Sequence, residues 1–356
     1  MMQNLDNLTT EAVSLLMQII ATPSVSRDEA AVADKFEAWL KEMQLNPQRH
    51  GNNIWCVCPD YDASKPTLLL DAHLDTVKPV NGWETDPYQP ILKDGVLYGL
   101  GSNDDGASVV SLLQAFRVLT KKVQSYNLVF SASSEEEVSG KNGFESALPL
   151  MPPITVALAG EPTGMHPAVA EKGLMVLDVT AYGKAGHAAR NEGDNALYKV
   201  LDDIRWFRDY QFEKVSPTLG PVKTSVTMIQ AGTQHNVIPD KCSFVVDVRS
   251  NDCYSNQEIY ELICEHTTCE VKARSFRLNS SGISMEHPLV KKAVEMGRKP
   301  FGSPTLSNQA LMPFPSMKMG PGDSARSHTA NEYIKVDEIR EAISKYVELL
   351  DGLQLV

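Results

Sequence analysis

At 356 residues the chain is too long for one ordinary core and calls for two domains. Its hydrophobic fraction of 42% and charged fraction of 22% are those of a globular protein, and a net charge of −12 argues against nucleic acid or an anionic membrane as partner. No run approaches the ~20 apolar residues needed to span a bilayer, and the first twenty residues lack the basic region and cleavage site of a secretion signal.

Residues 9–21 and 28–43 carry apolar side chains at helical spacing, among them Ala31, Phe36, Trp39, Leu40 and Met43. Residues 53–58 and 67–70 read as strands, the second a short apolar run expected where both faces are covered. The Pro-, Gly- and Asn-rich stretch 78–95 reads as a loop, 107–119 as an apolar helix, and 128–132 and 155–159 as buried strands. This alternation predicts a mostly parallel sheet with helices on both faces. After Lys172-Gly173 the character changes. Residues 174–182 alternate, with Met175, Leu177 and Val179 against Val176, Asp178 and Thr180. A helix at 194–210, strands at 223–229 and 242–249, a helix at 255–266 and a strand at 270–276 complete a strand-helix-strand-strand-helix-strand unit. Helical text at 287–298 and from Val336 closes the chain. The fold class is therefore α/β: a domain of 1–172 and 279–356 with a mostly parallel sheet, and an inserted α+β, ferredoxin-like domain of 173–278.

The six cysteines, Cys56, Cys58, Cys242, Cys253, Cys264 and Cys269, have neither zinc-ribbon nor thioredoxin spacing. They read as mostly buried thiols of a reducing, cytoplasmic compartment.

In an open α/β sheet, ligands bind beyond the carboxyl ends of the strands, and there the chain places its acids and histidines. His73 and Asp75, in LLLDAHLD, share one face of an extended segment, as a histidine ligand and an orienting carboxylate would. In GLGSNDDGAS, Asp104 precedes a helix; its carboxylate suits a bridge between two cations or, alternatively, a helix cap, for which Asp105 is better placed. Glu135, Glu136 and Glu137 follow a buried strand, where three acids repel each other unless a cation or proton compensates. Glu161 follows another strand, and Gly320-Pro321-Gly322-Asp323 leads to His328. Two zinc ions roughly 3.5–4 Å apart share one bridging acid and take about one histidine and one carboxylate each. His73, His328, Glu137, Glu161 and Asp104 fill that list, and Glu136 supplies the general base.

The stretches DAHLDTV (71–77), YGLGSND (98–104), SSEEEVSG (133–140), AGEPTG (159–164), YGKAGHAAR (182–190), HNVIPDKC (235–242), VVDVR (245–249) and MGPGDSARSHTANEYI (319–334) together resemble the co-catalytic zinc aminoacylase and carboxypeptidase family. That family includes acetylornithine deacetylase, succinyl-diaminopimelate desuccinylase and a lysine-forming deacetylase, and the resemblance covers nearly the whole chain. It implies a zinc-peptidase-like catalytic domain in which His73 and Glu161 bind one zinc, Glu137 and His328 bind the other, and Asp104 bridges. Cobalt would substitute for zinc. Asp75 would orient His73, and Glu136 would be the general base and acid. The inserted domain would act as lid and homodimer interface, its His187 reaching the partner subunit's active site to donate to the oxyanion. Asn236, Arg249 and Gly322 would bind substrate; Arg249 resembles the arginine that holds a substrate carboxylate, with a strand-end salt bridge as its other reading.

Two departures from the family pattern leave alternatives open. The family's D-x-K-G is here Asp104-Asp105-Gly106, without the lysine and one residue shorter, so the bridge is Asp104 or Asp105; the distance from Gly99 and Gly101 favours Asp104. The family's Asp-Glu-Glu is here Glu-Glu-Glu, so base and ligand are Glu136 and Glu137 or, one residue earlier, Glu135 and Glu136. The resemblance implies hydrolysis of an N-acyl amino acid, with N-acetylornithine first and acetylcitrulline or succinylornithine as variants. An N-acyl-lysine deacetylase, a succinyl-diaminopimelate desuccinylase and a dipeptidase or aminoacylase are the alternatives. His50, His166, His266 and His287 read as surface or helix-end residues.

Overall fold

The computed structural model describes residues 2–355. The chain divides into two compact units: one runs through Val169 and includes Gly282–Phe301 and the chain from Ser307 on; the other comprises Ala170–Ser281 and Gly302–Leu306.

The first unit is built on a mixed sheet whose central strands are parallel. Thr67–His73 is buried along its whole length, as its apolar sequence requires, between Asn127–Ser133 on one side and Val156–Ala159 on the other. Ser316–Lys318 continues the parallel set beyond Val156–Ala159, and Asn53–Val57 pairs antiparallel with Asn127–Ser133. The register sets His73 opposite Ser133, Asp71 opposite Ala159, and Ala159 opposite Lys318. Four carboxyl ends thus lie along one edge, and the acid- and histidine-bearing segments leave from it. Helices Ala107–Leu119 and Val336–Leu350 contribute Val110, Leu113, Phe116, Ile339, Ile343 and Tyr346 to the core beneath.

The stretch read as a loop, 78–95, ends in the first strand and turn of a hairpin. Ile91–Lys93 and Val96–Tyr98 pair across Asp94 and Gly95, at φ 50° and 76°, and Tyr333–Lys335 adds a third strand. An Asp-Gly pair in left-handed conformation is the usual two-residue hairpin turn, a signal present in the sequence that the loop-like composition obscured.

The second unit carries a four-stranded antiparallel sheet in the order Lys223–Ala231, Lys241–Arg249, Met175–Tyr182, Glu270–Ala273. This is the ferredoxin-like arrangement expected of the strand-helix alternation. Met175, Leu177 and Val179 bury one face of their strand, with Phe244 and Val246 beside them and Val200, Phe207, Ile259 and Ile263 of the helices Ala196–Asp209 and Asn256–His266 completing the cluster. Among the described residues, no helix is long and apolar enough to cross a membrane. The cysteines are free thiols, but only Cys56, Cys58 and Cys242 are buried. Cys264 is exposed because Ile259 and Ile263 set the buried face of its helix.

Candidate metal centre

His73 ends its strand almost fully buried. Its Nδ1 lies 2.9 Å from the Asp75 carbonyl oxygen and 3.6 Å from Asp75 Oδ1. That pairing turns Nε2 toward Asp104 Oδ1, at 3.3 Å, and Glu136 Oε2, at 3.8 Å. Donor atoms of His73, Glu136 and Glu161 lie within 4.8 Å of one another, and so do those of His73, Asp104 and Glu137. His328 Nε2 lies 2.9 and 3.1 Å from the Glu137 oxygens and 3.7 Å from Asp104 Oδ2. Two imidazoles and four carboxylates from five segments therefore converge in the first unit.

The neighbours of these residues face elsewhere. The Glu135 carboxylate accepts from the side chain and backbone N–H of Asn142, at 3.2 and 3.4 Å. Asp105 Oδ2 accepts the His73 backbone N–H at 3.4 Å. Gly322, read as a substrate contact, sits at φ 89°, and a Cβ there would lie 2.2 Å from Asn103 Oδ1. Only glycine fits that approach without displacement.

The acid-bearing turn is held by side chains at four consecutive amides. Ser134 N–H donates to Asn53 Oδ1 at 3.0 Å and Glu135 N–H to Glu29 Oε1 at 3.1 Å. Glu136 and Glu137 donate to Asp75 Oδ1 and Oδ2 at 3.0 and 3.2 Å. The Asp75 carboxylate thus holds the turn, whereas the His73 ring hydrogen-bonds the Asp75 backbone carbonyl rather than the expected carboxylate. Glu29 and Asn53 escaped the sequence reading, because no local pattern marks a side chain that bonds distant main chain.

Burial raises the Glu136 and Glu161 carboxyls well above the usual carboxylate range; nearby acids add to the rise, while Lys318 opposes it at Glu161. At Asp104 burial is outweighed by the His73 hydrogen bond and charge, which hold its carboxyl low, and Asp104, Glu136, Asp75 and Asp105 together raise His73 against its own burial. His328 is raised by its bond to Glu137. Carboxylates crowded in a poorly solvated pocket, interleaved with imidazole nitrogens, form a donor set suited to divalent cations.

The second unit holds the other expected residues. His187 pairs with Val237, and Ala188 N–H donates to the Asn236 carbonyl at 3.0 Å, so His187 and Asn236 are neighbours. His187 Nδ1 accepts from Ala189 N–H at 3.1 Å, which leaves the ring proton on Nε2. The Arg249 guanidinium is paired with Asp247 through two bonds of 2.8 and 3.1 Å.

A sequence model described as peptidase family M20/M25/M40 matches residues 69–352. The LysW-lysine/LysW-ornithine hydrolase of Sulfurisphaera tokodaii is 26% identical over 96% of this chain and 95% of its own length. An acetylornithine deacetylase of Proteus mirabilis is 27% identical over 94% and 96%. The Bacillus subtilis YXEP protein, described as a dinuclear metal binding peptidase, superposes with a TM-score of 0.73 at 15% identity, over 98% of this chain and all of its own.

Proposed function

This chain belongs to peptidase family M20/M25/M40, and from that premise we propose that it is a cytoplasmic two-zinc deacylase that frees a small amino acid from its N-acyl derivative. N-acetylornithine is the first-choice substrate, with acetylcitrulline and succinylornithine as variants. The observation that carries this reading is the convergence of His73, Asp104, Glu136, Glu137, Glu161 and His328 from five segments. His73 with Glu161 and Glu137 with His328 would each hold one ion, and Asp104 would serve both. Two divalent ions bound there supply Lewis acidity, which acidifies a water and polarises an acyl oxygen.

Glu136 has the protein's share of the proton work. Its carboxylate accepts a proton from the attacking water as the new C–O bond forms, then returns it to the leaving nitrogen as the C–N bond breaks. Its backbone is fixed by Asp75, which limits the error in where that proton goes. His187 has Nε2–H available to donate to the developing oxyanion. Arg249 would take the substrate carboxylate in exchange for Asp247, the geometry of a bidentate guanidinium pair being the same for either. Asn236 and Gly322 complete the proposed substrate contacts. A homodimer through the second unit follows from the role given to His187. The exposed Met228 and Ile229 on the edge strand Lys223–Ala231 support it, and light scattering on the eluted protein checks it.

The deciding experiment is a substrate panel at fixed metal content: acetylornithine, acetylcitrulline, succinylornithine, acetyllysine, succinyl-diaminopimelate and dipeptides. Two zinc ions per chain and the highest kcat/KM on one of the first three are expected. A dipeptide preferred over every N-acyl amino acid would overturn the deacylase reading, and a chain that binds no divalent ion would overturn the metal reading.

A further inference from the structure

Glu332 is buried, and its carboxylate takes three main-chain N–H groups of one loop. Oε2 accepts from Gly101 at 3.0 Å; Oε1 accepts from Asn103 at 2.8 Å and Asp104 at 2.9 Å. The Glu332 carbonyl accepts a fourth, from Gly99, at 3.0 Å. The next residue begins the strand Tyr333–Lys335, paired with Val96–Tyr98, so the two segments are already in register where the carboxylate acts. The loop reciprocates. Asn103 Oδ1 accepts from Asp323 N–H at 3.0 Å, and its Nδ2 donates to the Asp323 carbonyl and Ser327 Oγ at 3.2 and 3.3 Å. His328 lies between these anchors. Ser327 precedes it, and Glu332 follows four residues later.

We infer that Glu332 is a positioning residue that fixes Asp104 and His328 as one rigid pair before any ion arrives. The inference rests on the two-metal reading of the centre, and it adds a device that no ligand supplies. Without the harness, Asp104 and His328 would each have to be ordered by the ion itself, at the expense of affinity. The chemistry requires a carboxylate. Three N–H donors need two acceptor oxygens, whereas an amide offers one oxygen and sets an NH2 against a donor.

The test is Glu332→Gln beside the wild-type chain. Zinc titration of the metal-free proteins by calorimetry should show affinity for at least one ion reduced ~10- to 100-fold, the usual effect of removing an orienting partner. With metal saturated, kcat should fall while KM stays near its wild-type value. Hydrogen exchange at Gly101, Asn103 and Asp104 should accelerate. A variant with a lowered Tm but unchanged zinc affinity and kcat would show a purely structural role and overturn the inference. Should the variant fail to fold, exchange on metal-free wild-type protein decides. Protection of those three amides is expected; exchange as fast as in an exposed loop overturns the proposal. Failure of the wild-type chain to bind zinc would instead sink the two-metal reading, and the exchange measurement would still report on the harness.

Discussion

The carboxylate of Asp75 grips the backbone of Glu136: Oδ1 accepts the Glu136 N–H at 3.0 Å, while Oδ2 takes the Glu137 N–H at 3.2 Å and the Ser26 hydroxyl at 2.7 Å. Asp75→Asn preserves the shape but replaces one acceptor oxygen by an NH2 facing a donor. Activity should fall ~10- to 100-fold. Zinc affinity should weaken with it, because the side chain of Glu137, assigned to one ion, departs from that backbone. Steady-state kinetics and zinc titration measure both; wild-type values in each would remove Asp75 from the site's support.

Glu136→Gln separates proton transfer from ion binding. The amide keeps the size of the carboxyl but cannot carry the proton. Zinc content should remain at the wild-type level while kcat drops by at least ~10²-fold. Near-normal turnover would assign the proton to another group.

His328→Ala removes one imidazole and leaves Glu137 and Asp104 without it. Metal analysis after dialysis should fall from two zinc ions per chain to one. Chelation of the wild-type protein should abolish turnover, and added zinc should restore it. An ion held at a hundred times its dissociation constant stabilises the fold by about 2.7 kcal/mol, so Tm should rise as zinc is returned. A variant that retained both ions would place the second site elsewhere.

Cys56 offers a pH prediction remote from the centre. Burial pushes its thiol up to about 12. The folded chain therefore holds a proton that the unfolded chain gives up near pH 8.5–9. The thiol's contribution is fully present below that pH and is lost as pH rises toward 12. Cys56→Ala should lose stability less steeply than wild type between pH 9 and 12 in parallel denaturant titrations. Equal slopes would refute the shift.

Much of the architecture was legible in local patterns. The run Thr67-Leu68-Leu69-Leu70 announces a strand buried on both faces, and it is one. The alternation at Met175, Leu177 and Val179 announces a half-covered sheet, and the second unit has it. The Asp94-Gly95 hairpin was missed because surrounding prolines and asparagines read as loop, although its turn signal is local. The residues brought together were also visible as types: acids and histidines placed just beyond buried strands.

The sequence by itself determined which segments become strands and helices and which carry donors, because periodicity and turn chemistry act over a few residues. Tertiary structure alone decided which member of each acidic run joins the donor cluster: Asp104, Glu136 and Glu137 meet there, while the more deeply buried Asp105 and Glu135 bond the His73 backbone and Asn142. It also recruited Glu29, Asn53, Asp75 and Glu332 to hold the main chain. Those hydrogen bonds join residues from 61 to 231 positions apart. They exist because strands in register, parallel beside Asp75 and antiparallel beside Asn53 and Glu332, bring distant segments together, and nothing near either partner in the sequence encodes that meeting.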